Sequence, residues 1–121
     1  MCVFCDIVAG KIPSYKIYED EKTYAFLDIA CDAYGHTLVI PKKHFDCYED
    51  IDFDTIKKVN EAGKIVYNKI KTNLHADGIR LVQNNGIIQD VKHYHLHLVP
   101  IYKSDKDDKD DFDVVLKNIT K

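Results

Sequence analysis

Hydrophobic and polar residues alternate along this chain with two different periods. A period of two residues is typical of β-strands, whereas apolar positions that recur every three or four residues are typical of an amphipathic α-helix. The two-residue period predicts strands at residues 15–18 and 89–102, and stretches rich in apolar residues predict further short strands at 23–27, 36–41 and 78–84. The helical period predicts one long helix, which begins after Asp52 or Asp54 and runs to about Thr72.

Turn-forming residues separate these elements and determine how the strands connect. Short turns are predicted at 12–14 and 19–22, and the Asn-Asn-Gly stretch at 84–86 is the clearest turn signal. Strands joined by short connections pair antiparallel, because parallel strands need a long crossover. A short N-terminal helix is predicted over 6–9, closed by Gly10. We therefore predict an α+β fold in a single domain, with a five-stranded antiparallel sheet, one long helix and one short helix.

The length of the chain is that of one compact domain. It has 121 residues, of which 45% are hydrophobic, which is enough for one core. The C-terminal end has a different composition, because Lys103 to Asp113 contains six aspartates among three lysines. Such a segment buries little apolar surface. We therefore expect an acidic C-terminal tail over 103–121, exposed in its first part, with a short helix from Val114 to Ile119.

The charge and the apolar runs exclude several classes of protein. A net charge of -3 without a long basic run argues against nucleic-acid binding. The chain begins without the pattern of a signal peptide, and no apolar run approaches the ~20 residues of a membrane span, so we expect a cytoplasmic protein without membrane association. Cysteines in that compartment are more often thiols or metal ligands than disulfides. Cys31 and Cys47 carry no further signal.

Three histidines, His93, His95 and His97, occupy every second position of the last predicted strand. In a strand their side chains share one face at steps of ~6.5–7 Å, so they can line one small site. They could bind a metal, act as nucleophile and acid or base near neutral pH, or form only a histidine-rich surface. The outer two lie ~13 Å apart along a strand, which is poor geometry for one tetrahedral ion. We therefore favour phosphate and proton chemistry, at least for His95.

Cys2 and Cys5 form a C-x-x-C motif at the N-terminus. Taken alone, this motif is compatible with half of a zinc site, a redox pair or two small buried side chains. The redox interpretation is the weakest, because no strand precedes the motif as it would in a βαβ unit. Two histidines from elsewhere in the chain would complete a Cys₂His₂ zinc site.

The order of the motifs resembles that of the histidine triad (HIT) family, in the Hint-type branch that has a zinc site. The shared motifs are the C-x-x-C, Phe-Leu-Asp-Ile at 26–29, Gly-His-Thr-Leu-Val-Ile-Pro-Lys-Lys-His at 35–44, Asn-Asn-Gly at 84–86 and Gln-x-Val-x-His-x-His-x-His at 89–97. The resemblance extends nearly to Tyr102, over a single HIT domain within 1–121. It implies a hydrolase that acts on purine nucleotide conjugates.

The resemblance also implies a role for individual residues. His95 would be the nucleophile that attacks the α-phosphorus and forms a nucleotidyl-histidine, which water then hydrolyses. His97 would lie beside the phosphate, and His36 would polarise the histidine cluster. The residues implied to bind substrate are Asp28 at the ribose, Asn84 and Gln89 at the phosphate or leaving group, and Phe4, Ile7, Phe26 and Ile29 around the base.

In the zinc-bearing members, C-x-x-C acts together with two histidines, which here match His44 and His93. The resemblance therefore implies a structural zinc ion held by Cys2, Cys5, His44 and His93, with no role in activating water. Family members usually form homodimers through the long helix and an edge strand, and the same is expected here.

Two departures from the family pattern concern the substrate. Only Ile87 and Ile88 separate the Asn-Asn-Gly turn from Gln89, and Asp90 stands where Hint-type enzymes often have serine. The first shortens the loop beside the phosphate, and the second places a carboxylate near it. A nucleoside phosphoramidase is favoured. The alternatives are a dinucleoside polyphosphate hydrolase and a nucleotide-binding regulatory protein with vestigial catalysis.

Overall fold

A computed structural model of the chain describes residues 2–30, 33–104 and 110–121. The helices are α1 at Val3–Val8, α2 at Phe53–Asn73 and α3 at Phe112–Ile119, with one 3₁₀ turn at Gly86–Ile88. The strands are β1 at Lys16–Glu19, β2 at Thr23–Leu27, β3 at Thr37–Pro41, β4 at Gly78–Val82 and β5 at Leu96–Ile101. Within the described part of the chain, no helix is both long and apolar enough to cross a membrane.

The strands form one antiparallel sheet in the order β1-β2-β3-β5-β4, so the predicted α+β fold with a five-stranded antiparallel sheet is confirmed. The predicted last strand is wrong in its first half, because β5 begins only at Leu96. His93 and His95 lie before the strand, where the amide of His93 donates to the carbonyl of Val91 at 2.9 Å. Only His97 belongs to β5.

Both faces of the sheet are covered, because side chains of β2 and β3 alternate between two apolar clusters. One cluster lies under α2 and α3 and includes Ala25, Leu27, Val39, Leu96, Leu98, Val59, Val66 and Ile70. The second cluster lies under α1 and consists of Phe4, Ile7, Tyr24, Phe26, Leu38 and Ile40. The short helix α1 therefore stays attached by its apolar side chains, although six residues would not form a stable helix alone.

Two helix starts are explained by side-chain caps. Helix α1 begins at Val3, earlier than the predicted Asp6, because the thiol of Cys2 accepts a hydrogen bond from the Cys5 amide at 3.1 Å. Helix α2 begins at Phe53 because Asp52 accepts from the Thr55 amide at 3.0 Å. Asp52, and not Asp54, is thus the cap of the long helix; both residues had been predicted as alternatives.

The C-terminal residues are more closely packed than a charged tail would be. Helix α3 begins at Phe112, whose ring lies 5.2 Å from that of Tyr15, and its Val115 and Ile119 belong to the core. Asp110 accepts a hydrogen bond from the hydroxyl of Tyr34 at 2.6 Å. The prediction of an exposed tail is therefore wrong for Asp110 and Phe112, which are partly buried, whereas Asp111 and Asp113 are exposed as predicted. Residues 105–109 of that predicted tail, like Cys31, lie outside the described residues.

Candidate functional site

The strand register places His97 in a row with two apolar side chains. Leu38 of β3 pairs with Phe26 of β2 on one side and with His97 of β5 on the other. Directly paired residues of antiparallel strands project from the same face of the sheet. His97 therefore lies on the face that α1 covers, beside the apolar cluster there. Leu38 was not predicted as a site residue, although it shares the two-residue period that begins at His36.

His36 and Asp28 join His97 from the neighbouring strands. The Nε2 atom of His36 lies 2.9 Å from Nδ1 of His97 and 3.6 Å from Oδ2 of Asp28. The backbone amide of Asp28 also donates to the carbonyl of His36 at 2.9 Å, which fixes the ends of β2 and β3 to each other. The two histidines are buried, and their ring contact joins residues far apart in the sequence. The structure thus brings together these three predicted residues.

His97 has a buried nitrogen without a partner. Burial, followed by the charges that His95 and His36 would carry, lowers the pKa of His97 below its ordinary value, which favours the neutral ring. Its Nε2 atom is buried and has no hydrogen-bond partner among the described residues. An unsatisfied buried polar atom destabilises a fold by ~1–3 kcal/mol, so this nitrogen is a candidate contact for a bound water or ligand.

His95 has its proton assigned by its surroundings. Its Nδ1 atom lies 2.7 Å from the carbonyl oxygen of His93. Because a carbonyl oxygen only accepts, Nδ1 must carry the hydrogen, and the neutral ring then has its lone pair on Nε2. The ring lies 4.8 Å from that of His97 and 5.2 Å from that of Phe4, which meets it edge to face. This is the protonation state that a nucleophilic imidazole requires.

The apolar cluster beside the histidines contains most of the predicted base-pocket residues. Phe4, Ile7 and Phe26 are buried in it. Three further members were not predicted from the sequence: they are Tyr24, Leu38 and Ile40, with Ile12 packed against them. Ile29 is 72% exposed and does not join this cluster, so its place at the base stays a prediction.

The two predicted amides lie in the connection between β4 and β5. Gln89 is buried, and its side-chain amide makes protein contacts at both ends: Nε2 donates to the carbonyl of Asp46, and Oε1 accepts from the Gly86 amide. Asn84 is partly exposed just after β4. Gln89 therefore holds the turn in place, and contacts of either amide with a phosphate stay predictions.

A second cluster lies at the N-terminus, where Cys2, Cys5, His44 and His93 bring their ligand atoms within 4.8 Å of one another. The two sulfur atoms are 3.0 Å apart. Nδ1 of His44 lies 3.4 and 3.3 Å from the sulfurs of Cys2 and Cys5, and Nδ1 of His93 lies 3.3 and 3.6 Å from them. The ligand atoms of Asp28, His36 and His97 form another group of the same compactness.

The chemistry of the Cys₂His₂ cluster fits a tetrahedral metal ion. His93 directs Nε2 to the carbonyl of Pro41 at 2.8 Å, and His44 directs Nε2 to Oδ1 of Asp46 at 2.6 Å, so both rings present Nδ1 to the sulfurs. Burial lowers the pKa of His93, which favours the neutral ligand form. Burial, with hydrogen bonding to Cys2, raises the pKa of Cys5 to about 11. Although burial opposes it, hydrogen bonds from Cys5 and His44 lower the pKa of Cys2.

The fold and the two clusters define a class of protein: a small α+β domain with clustered histidines at one end of an antiparallel sheet and a Cys₂His₂ group beside them. The sequence of the chain matches the family model of the HIT domain over residues 9–104. The chain therefore belongs to the HIT family, as its motifs indicated.

Several known proteins are similar to this chain. It is 47% identical over 107 residues to an uncharacterized HIT-like protein of Mycoplasma genitalium, covering 87% of this chain and 76% of that protein. It is 39% identical to the adenosine 5'-monophosphoramidase HNT1 of Candida albicans, covering 82% and 69%. The crystal structure of a zinc-bound histidine triad family protein from Mycobacterium smegmatis superposes with a TM-score of 0.90 at 37% identity, covering 98% and 90%.

Proposed function

We propose that this protein is a hydrolase that releases a purine nucleoside monophosphate from a phosphoramidate or a similar conjugate. The observation that carries the proposal is the hydrogen bond from Nδ1 of His95 to the carbonyl oxygen of His93, which leaves a lone pair on Nε2 of His95. Family membership and the similarity to an adenosine 5'-monophosphoramidase support the substrate class.

The reaction takes two displacements at phosphorus. In the first, Nε2 of His95 attacks the α-phosphorus, a nitrogen-phosphorus bond to His95 forms, and the bond to the leaving amino group breaks as that group takes up a proton from solvent. In the second, water attacks the phosphorus of the nucleotidyl-histidine, the bond to Nε2 breaks, and the water gives up one proton to solvent as the monophosphate leaves and His95 is restored. The two steps together replace one difficult direct hydrolysis, because imidazole is a better nucleophile than water in the first step and a good leaving group in the second.

The remaining cluster orients the phosphate. If Nε2 of His36 donates to Nδ1 of His97, which the adjacent Asp28 carboxylate supports, then His97 carries its hydrogen on the otherwise unpartnered Nε2. A phosphate oxygen that accepts from this atom would satisfy it. Asp28 additionally binds the ribose in this proposal, and the buried cluster around Phe4 and Phe26 holds the base.

We further propose that Cys2, Cys5, His44 and His93 hold a structural zinc ion. Four protein ligands leave no open coordination position, so the ion stabilises the fold and supplies no catalytic water. The zinc-bound neighbour supports this assignment. The ion would fasten α1 to β3 and to the segment that carries His95.

We also propose a homodimer, formed through the edge strand β4 and helix α2. Leu81 on β4 is 55% exposed, and a groove of about 340 Å³ beside it is lined by Asn60, Gly63, Lys64, Tyr67, Leu96 and Leu98. An exposed edge strand with apolar side chains is prone to pair with a second chain. Leu81→Lys should give a monomer by light scattering, whereas Val114→Lys, on a different surface, should not.

The central test measures AMP release from adenosine 5'-phosphoramidate by the purified chain and two variants. Wild type should turn over, and His95→Ala should lose activity by at least ~10³-fold, since no other group replaces the nucleophile. His75→Ala, at an exposed position after α2, serves as the matched control and should retain full activity. Faster turnover of a dinucleoside polyphosphate would favour the alternative hydrolase, and AMP binding without any turnover would contradict the proposal.

A further inference from the structure

Asp46 contacts the metal-ligand group and the turn at 86–89, although the proposed function gives it no role. Its carboxylate Oδ1 lies 2.6 Å from Nε2 of His44, whose Nδ1 faces the two cysteine sulfurs. Its main-chain carbonyl accepts a hydrogen bond from Nε2 of Gln89. One residue therefore contacts a member of the metal-ligand group and the turn beside the histidines.

The carboxylate contact has a clear consequence for His44. A carboxylate can only accept here, so Nε2 of His44 carries a hydrogen, and in the neutral ring that binds a metal Nδ1 then presents its lone pair to the cluster. The same contact polarises the ring and makes Nδ1 a stronger metal donor. Because His44 and Asp46 are both partly exposed, the contact itself stabilises the fold little, so its effect should be seen mainly in metal affinity.

The carbonyl contact has a different consequence, because it fixes the side chain of Gln89. The side-chain oxygen Oε1 of Gln89 accepts from the backbone amide of Gly86 at 3.2 Å, and the backbone amide of Gln89 donates to the carbonyl of Gly86 at 2.9 Å. The turn at 86–89 is therefore closed by Gln89 and attached to the 44–46 segment through Asp46.

We propose that Asp46 is a positioning residue that couples the metal centre to the turn at 86–89. Its carboxylate orients His44 for the metal, and its carbonyl holds Gln89 when His44 is fixed. The metal then orders the turn at 86–89 without contacting it. This inference rests on the proposed zinc site, and it extends the role of that site beyond holding the N-terminus.

The first test measures zinc affinity by competition with a chromogenic chelator. Asp46→Ala should weaken zinc binding ~10–100-fold, the usual effect of removing a group that orients a ligand histidine. Asp50→Ala removes the same charge from the same loop without contacting a ligand, and it should stay within about twofold of wild type. Asp46→Glu should recover part of the lost affinity. The visible spectrum of the cobalt-substituted protein should change for Asp46→Ala and not for Asp50→Ala.

The second test measures hydrogen exchange of the Gln89 amide before and after zinc removal, with the Leu74 amide at the end of α2 as the reference. A loss of global stability accelerates exchange at both amides equally. Loss of order in the turn alone adds to exchange at Gln89, which should therefore accelerate several-fold more than exchange at Leu74. Equal acceleration would overturn the coupling to the turn.

The outcomes separate this inference from the proposal it rests on. If wild type and Asp46→Ala bind zinc equally, the role of Asp46 is wrong while the zinc site stands. If wild type binds no zinc, both are wrong. Neither measurement depends on turnover, so failure of the proposed hydrolase activity would leave these results interpretable.

Discussion

The Nδ1 atom of His95 lies 2.7 Å from the carbonyl oxygen of His93, so a residue of the metal-ligand group fixes the ring of the candidate nucleophile. The contact spans only two residues, yet it forms only because this segment is not part of β5. In a regular strand, alternate side chains stand away from the backbone of their neighbours. The departure from strand geometry is therefore what orients His95.

The first prediction concerns the tautomer of His95. Because its Nδ1 donates to a carbonyl, ¹⁵N NMR at pH 8 should show Nδ1 protonated and Nε2 unprotonated, which is the less common form of free histidine. His75, which is exposed, should show the ordinary mixture. A proton on Nε2 of His95 would contradict its assignment as nucleophile.

The second prediction concerns the pH dependence of His97. Burial, His95 and His36 lower its pKa, so its NMR titration midpoint should lie below the ordinary 6.5. As the pH falls through 6.5, the unfolded chain takes up this proton first, so the contribution of His97 to stability is fully present above pH 6.5 and decreases towards the folded pKa. His36→Asn removes one of the charges that lower the pKa of His97, so the titration midpoint of His97 should rise. A midpoint above 6.5 in wild type would exclude this environment for His97.

The third prediction concerns metal removal. Cys5→Ser should lose the bound zinc, as measured by mass spectrometry, and should reduce the free energy of unfolding by ~2 kcal/mol or more, since binding energy at a structural zinc site is folding energy. Cys47→Ser is the matched control, because hydrogen bonding to Glu49 raises the pKa of Cys47 to about 11 and it lies outside the metal-ligand group. Equal zinc content in the two variants would refute the ligand assignment.

The fourth prediction tests the packing of α3. Ile119 is fully buried, so Ile119→Ala should reduce the free energy of unfolding by ~2–5 kcal/mol in a denaturant titration. Val114, on the exposed side of the same helix, should change it by less than ~0.5 kcal/mol when replaced by alanine. Similar small effects for both would mean that α3 does not belong to the core.

The fifth prediction compares two glycines with left-handed backbone. Gly10 and Gly35 have φ of 78° and 81°, so alanine at either should cost ~1–2 kcal/mol in backbone strain. A Cβ at Gly35 would also lie 2.5 Å from Cδ1 of the buried Leu74, whereas one at Gly10 meets nothing within 4 Å. Gly35→Ala should therefore destabilise the protein more, and because Gly35 precedes His36, it should also shift the NMR signals of His97. Equal destabilisation in thermal unfolding would argue against this contact.

The sequence by itself determined the elements whose evidence is local. The run of aromatic and apolar residues after a charged turn located β2 without error, and the three- and four-residue period with the Asp52 cap located α2 to within a residue or two. The order of the motifs also indicated the HIT family, which the domain match confirms. These features could be predicted because side-chain periodicity and capping act between residues close in the chain.

The tertiary structure alone decided the features that depend on contacts distant in sequence. The alternation of His93, His95 and His97 suggested a continuous strand, yet side-chain and carbonyl contacts of His93 and His95 replace the ladder until Leu96. A short helix was predicted over 114–119 and is confirmed as α3, but only the tertiary structure shows that its Val115 and Ile119 belong to the core. The place of Leu38 and the contacts of Asp46 likewise follow from strand register and loop packing. Periodicity reports which face a residue occupies, whereas only the assembled chain determines what lies opposite that face.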